Sequence, residues 1–237
     1  MKKILFIIFF SYIFISFSDK FLDLGNQEFE NKNYKEAIKY YKQSKTDEGN
    51  FMTGVSMFEY GSKGYSKKYF EKSIKNNYKV SDSYYYLGSI YNYPKFREPD
   101  KTSQRANEYF LKALEGEEKG KVYKELGYLQ RYTLNSKKAE EYYLKAYESG
   151  NYASLCGLLL MYRDLSHRPF SNGYEYRGSE KRVALITDRY NKKLKGFTEE
   201  EAREKMDKIK LELRRIKYNC DLLDFWKSWL VLLSFSI

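Results

Sequence analysis

One histidine, two cysteines and 32 Asp or Glu residues are the side chains from which this sequence could assemble a catalytic centre. Acyl transfer by a Ser-His-Asp or Cys-His arrangement needs an imidazole beside the nucleophile, and here that imidazole could only be His167. His167 has no second His and no Cys at ligand spacing, so a zinc site is not expected. No Gly-rich phosphate loop followed by Lys and Ser or Thr is present, and no dinucleotide fingerprint. The acidic residues could supply a carboxylate pair of the glycosidase kind, but their placement in helical patterns reads equally as solvated surface charge. The expectation is therefore a protein that is not an enzyme and carries no cofactor and no metal. An envelope hydrolase is the least favoured function. Cys156 and Cys220 lie 64 residues apart at apolar positions of separate helical patterns. Two buried thiols are the expected state; a disulfide is left open, since spacing does not suggest one.

The elements that would position any site are helical. Only 3 Pro and 14 Gly interrupt 237 residues, and the 26 Tyr and 16 Phe provide ample material for a core. The chain opens with Lys2 and Lys3, an apolar stretch from Ile4 to Ile15 and the small-x-small triplet Ser16-Phe17-Ser18. That pattern predicts a signal peptide over residues 1–18, with the mature protein starting at Asp19. Twelve apolar residues are short for a membrane span, so a retained anchor is the weaker alternative and no transmembrane span is expected in the mature form. An exported protein, periplasmic or secreted in a bacterial cell envelope, is the expected setting. Two lysines leave with the signal, taking the formal charge from +11 to +9. Between Arg177 and Lys217, fourteen basic residues face eight acidic ones, a surplus that can draw in an acidic protein or anionic lipid. Export argues against nucleic acid as the partner.

A repeat organises most of the chain. Gly25 is followed twelve residues later by Ala37, then by Tyr41 and Ser44 at four and seven further on. The same spacing returns as Gly54, Ser66, Phe70 and Ser73, and as Gly127, Ala139, Tyr143 and Ala146. A fourth copy, Gly88 with Ala106, Phe110 and Ala113, carries six extra residues between its two helices. A fifth begins at Cys156-Gly157 and fades after Tyr162. Two helices can cross closely only where each offers a small residue, which Gly25 and Ala37 would do in the first copy. Phe29 and Tyr41 are expected to fill the groove toward the next copy. Pro94, Pro99 and Pro169 fall in two insertions between helices, which read as surface loops or as contacts for a partner.

The segment from Phe21 to Ser44 resembles a tetratricopeptide repeat, and residues 84–114 and 123–147 are closer to the related Sel1-like repeat. The resemblance spans roughly residues 20–165 and implies an all-α superhelical solenoid of antiparallel helix pairs. It also implies a concave groove lined by the first helix of each pair. The groove positions it designates are Asn26, Phe29, Phe58, Tyr85, Asn92, Lys124, Tyr128 and Arg131. Among these, Lys124 and Arg131 flank Tyr128 and could hold an acidic group or a terminal carboxylate. The expected function is a scaffold that binds another protein or peptide, an acidic one by charge.

The last third departs from the repeat. Residues 166–180 read as a loop, and 181–237 as a helical hairpin or capping helix. Val183, Ile186, Tyr190 and Leu194 predict a helix from Lys181 to Lys195 that stops at Gly196. Thr198 and Glu201 then form a capping box for the next helix. That helix carries Ala202, Met206, Ile209, Leu213, Ile216, Cys220 and Leu223 at alternating steps of four and three, the stripe of a coiled-coil seam. Continued through Trp226, Leu230 and Leu233, it would run about 54 Å. It would either cap the last repeat or pair with a second copy through 198–233, which gives a structural homo-oligomer as the alternative function.

Overall fold

A computed structural model describes residues 19–92, 101–166, 188, 191–192 and 196–220. Among these residues every regular element is a helix. They divide into two compact units, Met1–Ala113 and Leu114–Ile237. In the first lie α1 (Lys20–Glu30), α2 (Tyr34–Gln43), α3 (Asp47–Glu59), α4 (Lys63–Lys75), α5 (Val80–Tyr91) and α6 (Lys101–Ala113). In the second lie α7 (Lys119–Tyr132), α8 (Ser136–Glu148), α9 (Ser154–Ser166) and α10 (Glu199–Arg215). No described helix is long and apolar enough to cross a membrane. Residues 1–18, the three prolines, His167, and the end of the heptad stripe from Leu223 onward lie outside the described residues.

Helix ends follow from local chemistry. Asp19, Thr46 and Asn135 each accept a backbone N–H in the first turn of α1, α3 and α8. Six helices close with a residue in the left-handed region just past the cap: Lys32, Gly61, Asn77, Leu134, Gly150 and Lys217. In each case the next backbone N–H returns to a carbonyl five residues earlier, as in Asn33 to Glu28 at 2.8 Å and Asn135 to Gln130 at 2.9 Å. The helices of each of the pairs α1 with α2, α3 with α4, and α7 with α8 are thus separated by short, hydrogen-bonded turns.

Consecutive helices pack in pairs, α1 with α2, α3 with α4, α5 with α6, and α7 with α8. The repeat positions meet where the helices of a pair cross. A methyl group on Gly25 would lie 2.5 Å from the ring of Tyr41, one on Gly54 3.1 Å from Phe70, one on Gly88 2.6 Å from Phe110 and one on Gly127 2.7 Å from Tyr143. The aromatic ring of the second helix therefore lies flush on the glycine of the first, within its own pair. This corrects the expectation that Tyr41 fills a groove toward the next copy. Ala37, Ser66, Ala106 and Ala139, the small residues of the second helices, are all at 0% exposure. Burying each ring is worth roughly 1.5–3 kcal/mol, so the glycines act by admitting aromatics.

In the second unit α9 packs on both α7 and α8, and Gly157 presents its own Cα to the other side of the Tyr143 ring. α10 packs on α9. The capping box at its start is formed as the sequence reads: Glu201 N donates to Thr198 Oγ1 at 3.0 Å, and Thr198 N to Glu201 Oε2 at 2.7 Å. Of the helix expected from Lys181 to Lys195, the described part shows Asp188 and Lys192 paired at 2.8 Å. Gly196 takes φ +87°.

The expected 54 Å helix is not formed. α10 ends at Arg215, Lys217 turns left-handed at φ 52°, and Tyr218 N returns to Leu213 O at 3.0 Å. The heptad pattern is overridden by a turn that brings Cys220 back to α9. There it forms a disulfide with Cys156, Cα to Cα 5.6 Å, and the expectation of two free thiols is corrected accordingly. Ala202 and Leu213 are buried in one cluster with Leu155, Leu158 and Phe197, and Met206, Ile209, Ile216 and Cys220 pack against it. The stripe from Ala202 to Cys220 is thereby covered from within the chain.

Candidate functional site

The expected groove residues of the first unit all make contacts within the chain. Tyr41 Oη donates to Asn26 Oδ1 at 2.7 Å, so the amide secures the ring that covers Gly25. Phe29 meets Tyr34 edge-on at 5.4 Å, and Phe58 meets Tyr86 at 5.2 Å. Both belong to the rim of the core around Phe51, Val55 and Phe70. Tyr85 stands between Tyr86 and Phe110, at 5.5 and 6.2 Å. Asn92 caps α5 and is 7% exposed, its N–H donating to Gly88 O at 2.8 Å.

In the second unit the three residues of α7 behave differently from one another. Lys124 is partly exposed, with Nζ 3.6 Å from Glu125 Oε1, a separation at which it remains available. Tyr128, one turn on, is half-buried. Arg131 is not available: its Nη2 donates to Asp164 Oδ2 at 2.7 Å, and the two side chains are only 15% and 19% exposed. Burial alone would lower the guanidinium, and Asp164 more than reverses this, so Arg131 stays charged above its ordinary range. Of the two cations expected to flank Tyr128, Arg131 is thus engaged by Asp164, while Lys124 is held in no buried pair. Nothing in the sequence singles out Asp164, from α9. Its neighbour Arg163, at 3.5 Å from the other carboxylate oxygen, is the partner adjacency suggests.

Two further clusters fasten α10. Tyr162 of α9 and Lys205 of α10 both donate to Glu140 of α8, the first at 2.5 Å. Burial, then the Glu140 carboxylate, pushes the Tyr162 phenol well above its usual range. At the far end Arg215 holds Glu212 with hydrogen bonds of 2.5 and 2.8 Å, and Tyr147 of α8 donates to the same carboxylate. Arg215 and then Tyr147 hold the Glu212 carboxyl down to about 2.

Beside the disulfide, a cavity of about 490 Å³ opens between α9 and α10. Leu159 and Leu213 line it together with the cations Lys210, Arg214 and Lys217. Lys210 is paired with Asp207 at 2.9 Å, while Arg214 and Lys217 have no carboxylate partner among the described residues. Such a cavity can seat an anionic group with an apolar body. Among the described residues no three His, Cys, Asp or Glu side chains gather as a metal site would require. No family model matches the chain, and no curated protein proved similar to it.

Proposed function

We propose that the chain is an exported scaffold of the tetratricopeptide and Sel1-like kind, a solenoid of antiparallel helix pairs that binds a segment of another protein. The observation that carries this reading is the glycine-to-aromatic packing made in four successive pairs at the spacing of the sequence repeat. A helix pair built that way leaves an apolar face that only a neighbouring pair can cover, so the natural product is a stacked array with an extended binding face. The Cys156 to Cys220 disulfide supports export, because such bonds persist in oxidising compartments.

Lys124 and Tyr128 are the groove residues left to engage a partner, and an acidic segment suits them. The test is crosslinking in the native envelope followed by mass identification of what is captured. The comparison is Lys124→Glu with Tyr128→Ala, a change that leaves the Arg131 to Asp164 pair intact. A protein captured with the parent chain and lost with the variant is the expected result. Capture unaffected by the variant would reject the groove, and the N-terminus of the exported form should read from Asp19.

A further inference from the structure

The lysines of the repeat have a fixed place that neither the core nor the groove explains. In three of the four pairs the lysine two after the covering aromatic reaches, from the second helix, the residue of the first helix that stands four before the glycine; the first pair has Gln43 at that place. In α3 and α4, Lys72 Nζ donates to Asn50 Oδ1 at 3.0 Å. In α5 and α6, Lys112 lies over the ring of Tyr84 at 5.3 Å. In α7 and α8, Lys145 lies over Tyr123 at 6.0 Å.

At α5 and α6 this arrangement grows into a larger surface. Tyr84, Tyr109 and Tyr91 form a ladder, the middle ring stacked on the outer two at 6.0 and 5.5 Å. Lys67 from α4 lies 5.4 Å from the Tyr91 centroid and Arg105 from α6 lies 5.8 Å from it. Two helices, α4 and α6, thus bring Lys67, Arg105 and Lys112 to one tyrosine ladder built by α5 and α6. Arg105 and Lys112 are exposed with no carboxylate partner among the described residues, and Lys67 has only Glu71 at 3.5 Å. The adjoining α4 adds to the field, with five lysines against one glutamate. The corresponding lysine of the second unit, Lys145, is held by Glu141 at 2.6 Å, which confines the free surface to the first.

Three cations drawn together with a single carboxylate, Glu71, among them favour an anionic ligand, and rings that hold them in place lower the entropy lost on binding it. The ladder's ring faces are taken by neighbouring rings and cations, so bases have nowhere to stack. A protein partner would need an apolar anchor at the centre, and a lipid surface would need aliphatic side chains to insert. The ladder offers instead three tyrosines together with ammonium and guanidinium donors. We infer that this face of α4, α5 and α6 binds a linear acidic polysaccharide, its carboxylates on Lys67, Arg105 and Lys112 and its hydroxyls on the tyrosines.

The inference does not rest on the groove reading. Its test is titration calorimetry of the full chain with polygalacturonate, and with dextran as the uncharged counterpart. Lys67→Gln, Arg105→Gln and Lys112→Gln together should weaken polygalacturonate binding about tenfold or more, since each cation removed leaves the polymer one ion pair fewer. Circular dichroism reports whether the variant remains folded, and Arg105→Gln alone serves if the triple change does not. Lys35→Gln with Lys42→Gln removes charge from α2 of the same unit and should leave binding within about twofold. The Lys124→Glu, Tyr128→Ala variant should bind as the parent does, whatever becomes of the groove. Equal weakening by the α2 changes, or absence of polygalacturonate binding, overturns the proposal. So does equally tight, equally sensitive binding of polyglutamate or of phosphatidylglycerol vesicles, which would assign the face to an acidic protein or to a membrane.

Discussion

Gly127 and Tyr143 leave no space for a side chain between them: a methyl on the glycine would fall 2.7 Å from the ring. Gly157 closes the other side, where the corresponding distance is 2.5 Å. One tyrosine, 2% exposed, is therefore clasped between the backbones of α7 and α9 while anchored on α8.

Gly127→Ala should destabilise the protein by about 1–3 kcal/mol through overpacking, although alanine is the better helix former. Gly64→Ala, at an exposed position of α4, should instead be neutral or stabilising by up to about 1 kcal/mol. Urea unfolding of both variants reads the opposite signs. A stabilised Gly127→Ala would mean that the ring sits more loosely than described.

Arg131→Met should cost about 1–3 kcal/mol, because it leaves the half-buried Asp164 carboxylate with only Arg163 at 3.5 Å. Adding Asp164→Leu should recover most of that loss. A double-mutant cycle by urea unfolding measures the coupling, and additive losses would count against a buried pair.

Removal of the disulfide, by reduction or by Cys156→Ser with Cys220→Ser, should lower stability by about 2–4 kcal/mol, the amount typical for closing a long loop. The folded parent should show no thiol to a titrating reagent until reductant is added.

Glu212 supplies a pH dependence whose sign follows from its partners. Its carboxyl is depressed from 4.5 to about 2 by Arg215 and Tyr147. A depressed acid stabilises the fold above its ordinary value, and that contribution fades as pH falls from 4.5 through 2. The difference in urea midpoint between the parent and Glu212→Gln should therefore be present at pH 6 and shrink toward zero near pH 2. Added salt should reduce it as well, because the pair is exposed.

The parts of this structure legible in the sequence are those set by local spacing. Gly25, Gly54, Gly88 and Gly127 announce the helix pairs, because a glycine and an aromatic sixteen or twenty-two residues apart can meet only across a tight crossing. Thr198 and Glu201 likewise announce a helix start, since a capping box involves four consecutive residues. What depends on distant partners is not legible. Asp164 neutralises Arg131 from 33 residues away, and nothing at either position signals the other. The heptad stripe is real, but reading it as one long helix assumes that apolar periodicity outweighs a turn. Lys217 in a left-handed conformation, with Cys220 drawn to Cys156, shows the opposite outcome.

The bond between Cys156 and Cys220 also determines how the protein responds to being pulled. A force applied at the two ends of the chain would pass from α9 directly through sulfur to residue 220 and bypass everything between. The 64 residues of sequence separation would add nothing to the extended length while the bond holds, and on the order of 220 Å once it is reduced. α10 would thus be mechanically sheltered: it can unfold, but tension along the chain cannot stretch it.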